Sequence, residues 1–194
     1  MSDFPRSIVT RLVWDGWYRG RNVEPWDEIA RLDRCGYPVF PTVWQFLVQF
    51  CGLTLWRDIG RQFAHSEPAA LDFTLQEIAL PYNSPEMQAV TTNTALAFCY
   101  VGQFIYSGKP ARTAILMMDE HGVFYRFVDL TYLDLIGHTS ADMVTNFYNG
   151  LHSTQRIFTL DTLPDGNSSS RHDREPKPAP VPAYPVPFYS SSSH

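Results

Sequence analysis

The sequence predicts an α+β fold, in which a single domain carries a mainly antiparallel sheet packed against several helices, followed by a disordered Pro/Ser-rich C-terminal tail. Three observations lead there. Residues 113–128 read as two apolar strands joined by Asp119-Glu120-His121-Gly122, with the glycine supplying the left-handed conformation that such a turn needs. Val43, Phe46, Leu47 and Phe50 keep the i, i+3, i+4, i+7 spacing of one helical face. From residue 163 onward serine and alternate prolines replace that periodicity.

The hairpin is the centre of the prediction. Residues 114–118 are all apolar, as in a strand covered on both faces. Along 123–128, Val123, Tyr125 and Phe127 point one way and Phe124, Arg126 and Val128 the other. An apolar hairpin cannot stand alone in water, so other strands and helices must cover it. The chain has the material to do so: 44% of its 194 residues are hydrophobic and 14% aromatic, enough for a sizeable core.

The remaining elements follow in order. Ile8, Val9, Leu12 and Val13 share a helical face, stopped at Asp15-Gly16. Trp17 and Tyr18 start a loop whose aromatics fold back onto the core. Pro25 opens a second helix with Asp27 and Glu28 in its first turn; Trp26, Ile29 and Leu32 are its expected buried side and Gly36 its stop. Pro41 opens the third helix, which Gly52 ends. Residues 53–56 and 71–75 read as strands separated by polar loop. Ser84-Pro85 caps a fourth helix, drawn through Met87, Val90 and Thr94 to about Phe98. Residues 103–106 form a strand, 107–110 a turn, and 132–136 a further strand after the hairpin. Thr139 caps a last helix with Asp142 three residues on, near a capping box; Met143, Val144, Phe147 and Leu151 are its apolar stripe and Gly150 its end.

These boundaries divide the chain into a domain over residues 1–162 and a tail over 163–194. The tail has prolines at alternate positions and too little apolar mass to fold alone. It is polyproline-like, which suits either a dispensable flexible end or a ligand for a partner.

Charge and motifs exclude several function classes. A net charge of −5 argues against direct nucleic-acid binding, which uses a basic surface. No basic start is followed by an apolar leader, and no apolar run nears the ~20 residues of a membrane helix; a cytoplasmic protein with no membrane partner is expected. Cys35, Cys51 and Cys99 are odd in number and lie far apart in apolar surroundings, the pattern of buried reduced thiols. No phosphate-binding loop, dinucleotide fingerprint, nucleophile elbow or HExxH pair is present. His65, His121, His138 and His152 are isolated along the chain, so neither metal nor cofactor is expected. Asp119-Glu120-His121 is the one tempting cluster, and a hairpin tip calls for polar residues on turn grounds alone. A small hydrolase using Cys51 or Cys99 with a distant histidine is the enzymatic alternative; both cysteines read as packing residues.

Several motifs resemble one family. Gly16-Trp17-Tyr18-Arg19-Gly20-Arg21-Asn22-Val23 is similar to the Gly-Trp and arginine opening of the SUKH superfamily, in particular its third immunity-protein subgroup. Gly36-Tyr37-Pro38-Val39-Phe40-Pro41, then Phe46-Leu47 and Phe50-Cys51-Gly52-Leu53, resembles the segment where members read "FL..FGGL". Met118-Asp119-Glu120-His121-Gly122-Val123-Phe124-Tyr125 resembles their "MDE.GRVY" hairpin. Ile136-Gly137 and the capped helix ending at Gly150 complete the order over residues 5–152. Cys51 departs from the first glycine of the usual pair, and Val123 stands where an arginine is common. The resemblance implies an α+β binding domain without catalytic residues, of the kind by which bacterial members neutralise polymorphic toxins. Eukaryotic relatives are implied to be interaction modules, so a scaffold or regulatory adaptor using the domain and its tail is the alternative.

A protein partner is therefore expected. Residues 113–150 hold five acids, Asp119, Glu120, Asp129, Asp134 and Asp142, against Arg126 alone. Asp119, Glu120, Asp129 and Asp134 are the candidate partner-binding residues, with Asp119 and Glu120 expected to be exposed because an unpaired buried carboxylate is costly.

Overall fold

Five helices and seven strands appear in the order α1 (Arg6–Trp14), α2 (Trp26–Arg34), α3 (Pro41–Phe50), β1 (Thr54–Trp56), β2 (Pro68–Asp72), α4 (Pro85–Thr94), β3 (Phe98–Tyr106), β4 (Ala114–Asp119), β5 (Phe124–Val128), β6 (Tyr132–Gly137), α5 (Ser140–Tyr148) and β7 (Gln155–Thr159). The structure is a computed structural model and describes residues 4–57, 68–76, 78, 80–106, 114–151 and 155–160. The chain divides into units Met1–Thr162 and Leu163–His194; the tail, the turn drawn at 107–110 and most of the polar loop after β1 lie outside the described residues.

All seven strands form one sheet in sequence order, each antiparallel to the next. The central strand β4 is buried along its whole length, as its unbroken apolar run requires. In β5, Phe124 packs on Phe46 of α3 with ring centroids 5.0 Å apart, whereas Tyr125 meets Phe98 at 5.3 Å. Adjacent residues thus serve opposite faces of the sheet. Gly122 has φ +85°, the left-handed turn position expected of it, and Val123 belongs to the turn because β5 begins at Phe124.

The third helix is as predicted, with Val43, Phe46, Leu47 and Phe50 all buried. Phe46 and Phe50 stack at 4.8 Å and both meet Phe73, at 5.4 and 5.6 Å. The last helix has Met143, Val144 and Phe147 buried, and Phe147 reaches Phe104 of β3. Thr139 caps it: its hydroxyl oxygen accepts from the Asp142 amide at 3.1 Å, and the hydroxyl itself donates to the Asp142 carboxylate at 2.9 Å. A Cβ on Gly137 would lie 2.5 Å from the backbone nitrogen of Met143, so only glycine lets β6 approach α5 this closely.

Four expectations are corrected. The fourth helix ends at Thr94, where Ala95 turns left-handed with φ 55°; residues 98–101 consequently join β3 instead of extending the helix. The second strand is Pro68–Asp72, displaced from 71–75. In α2 only Leu32 is fully buried, and Trp26 is 61% exposed, resting against Trp44 at 4.7 Å. In α1, Val13 is exposed and only Ile8 and Leu12 are buried.

Candidate binding surface

The tip of the β4–β5 hairpin is held from within. The Asp119 carboxylate accepts the amide hydrogens of His121 and Val123, both at 2.9 Å, and the phenolic hydrogen of Tyr125 at 2.9 Å. Three donors compensate the burial of one charge. The side chain is accordingly buried, where exposure was expected. Its neighbours at the tip, Glu120 and His121, are exposed and lie 3.7 Å apart.

Asp134 is also buried. Cross-strand register places it between Arg126 of β5 and Arg156 of β7, and it accepts hydrogen bonds from them at 2.9 and 3.2 Å. Arg156 in turn lies over the Tyr132 ring at 3.8 Å, a cation–π contact. Asp129 is exposed in the β5–β6 turn. The four candidate carboxylates are therefore not one exposed edge: two are internal, while Glu120 and Asp129 sit beyond opposite ends of β5. Sequence carried a partial signal for Asp119, since an aspartate two residues before an amide in a tight turn often bonds back to it.

The thiols of the enzymatic alternative are both buried. Burial, with Glu28 adding to it, pushes the Cys51 thiol up to about 12 from its ordinary 9.0; burial alone raises Cys99 further. Neither supplies a thiolate at neutral pH. Among the described residues no group of three or more His, Cys, Asp or Glu side chains is placed to hold a metal, and no helix is long and apolar enough to cross a membrane.

A different surface stands out on the helical side. Trp14 is 86% exposed, with Val13 and Tyr18 each more than half exposed beside it. The Asp15 carboxylate accepts the Tyr148 hydroxyl at 2.6 Å and the Trp56 amide at 3.1 Å, which brings the exposed Trp56 ring into the same neighbourhood. Next to Val13 and Tyr18 runs a groove of about 480 Å³ lined by Phe4, Val9, Trp17, Arg19, Arg21 and Val48, among others. Phe4 makes one wall, edge-on to Trp17 at 5.3 Å. Arg21 is fixed by donating to the carbonyls of Gln49 and Cys51 at 2.9 and 2.7 Å, thereby capping the end of α3. Val48 shares a helical stripe with Trp44 four residues earlier, and Trp44 carries the exposed Trp26 ring. The buried Trp17 indole N–H has no acceptor among the described residues.

These landmarks keep the order of the motifs that resemble the SUKH superfamily: the Gly16-Trp17 opening, the segment of α3, the Asp119–Gly122 hairpin, and Gly137 before the capped α5. The chain belongs to the SUKH-3 immunity protein family, whose model matches residues 4–150. No curated protein and no solved structure matches the chain.

Proposed function

We propose that this chain is an immunity protein that binds and neutralises a polymorphic toxin in the cytoplasm by occlusion, with no catalysis of its own. Membership of the SUKH-3 immunity protein family over residues 4–150 is the observation that carries the reading. The chemistry of the fold agrees with it. Of the candidate partner-binding carboxylates, Asp119 and Asp134 are committed to internal hydrogen bonds, and the thiols are held protonated by burial. Glu120 and Asp129 keep exposed carboxylates, but they lie beyond opposite ends of β5 and do not make one contact face.

The reading expects a toxin gene beside this one. The test is to read the flanking genes and co-express the protein with the toxin domain found there; flanking genes without a toxin would count against it. Wild-type protein should restore colony formation and form a stoichiometric complex with the purified toxin domain. Continued killing, with no complex at micromolar concentrations, would overturn the reading.

A further inference from the structure

We draw no further inference here: the strongest candidate, the apolar groove beside α1 with the exposed Trp14 and Tyr18 rings next to it, carries nothing because nothing in the structure shows what covers it.

Discussion

Asp119 accepts the hydroxyl of Tyr125 at 2.9 Å, linking the last residue of β4 to the second residue of β5 across the turn they enclose. The same carboxylate holds the amides of His121 and Val123, so one buried charge organises the whole hairpin tip. Asp119→Ala should cost roughly 2–4 kcal/mol, because three donors lose an ionised acceptor inside the fold. Glu120→Gln, one residue along and exposed, should stay within about 0.5 kcal/mol of wild type. Denaturant unfolding of the two variants decides the matter, and equal effects would remove the organising role from Asp119.

Gly122 tests the same turn through its backbone. A Cβ there would meet Thr42 no closer than 3.6 Å, so space is not the obstacle. The φ of +85° is. Gly122→Val should destabilise by roughly 1–2 kcal/mol from the left-handed conformation alone, measured as a shift in unfolding midpoint at unchanged slope. A neutral result would mean that the turn relaxes to another form.

Much of this hairpin was legible because its signals are local. An all-apolar strand, a polar tip and a glycine leave few alternatives, and the same holds for α3 and for the Thr139 cap. The misses have physical causes. Helix α4 ends at Thr94 because Ala95 turns left-handed, which alanine rarely does, so nothing in the sequence marked the stop. The β5–β6 turn also runs through two left-handed non-glycine residues, Asp129 and Leu130. Strand β7, an edge strand with exposed Gln155, Arg156 and Ile157, lacks the apolar alternation that identifies a half-buried strand. The burial of two candidate carboxylates was hidden for a related reason. Sequence shows that a carboxylate is present, whereas burial of Asp119 and Asp134 depends on donors six residues downstream or on neighbouring strands. Exposure of Trp14 and Trp26 likewise depends on which helical face meets the sheet.

Gly137 should tolerate no side chain. Its missing Cβ leaves room for the Met143 nitrogen at 2.5 Å and the Met143 Cα at 2.8 Å, backbone atoms that cannot rotate away. Gly137→Ala should force α5 off β6 and cost about 1–3 kcal/mol. Thermal unfolding gives the readout, and the Asn146 side chain offers a local one, since it donates to the Ile136 carbonyl at 2.7 Å. Unchanged stability would mean that α5 shifts freely.

The cysteines make a reactivity prediction. Cys51 has a thiol pushed up to about 12 by burial and by Glu28. A disulfide reagent at pH 8 should modify Cys51 and Cys99 about 10²-fold more slowly in the native protein than in denaturant, or slower still. Because the folded value of Cys51 lies above its ordinary 9.0, the neutral thiol is favoured by folding. Its contribution to stability is fully present below pH 9 and is lost as pH rises toward 12. Native-state labelling as fast as in denaturant would show that the sites open, and would revive a nucleophilic role.

The Arg126–Asp134–Arg156 cluster separates a buried charge pair from an exposed one on a single carboxylate. The Arg126 side chain is 14% exposed and Arg156 54%, against 5% for Asp134. Removing the shared acid should therefore matter chiefly through Arg126, which would keep its charge in the interior with no counter-charge from Asp134. Asp134→Asn should cost roughly 3–5 kcal/mol. Arg156→Gln should cost about 1 kcal/mol or less, because water already solvates that guanidinium and screens its ion pair; what it loses is mainly the stacking on Tyr132. Changing Arg126→Met together with Asp134→Leu should be milder than Asp134→Asn alone, since an apolar pair leaves no stranded charge. Urea unfolding of the three variants at low and moderate salt provides the comparison. If Asp134→Asn proves no worse than Arg156→Gln, Arg126 finds its solvation without Asp134, and the cluster does not tie β5 to β6.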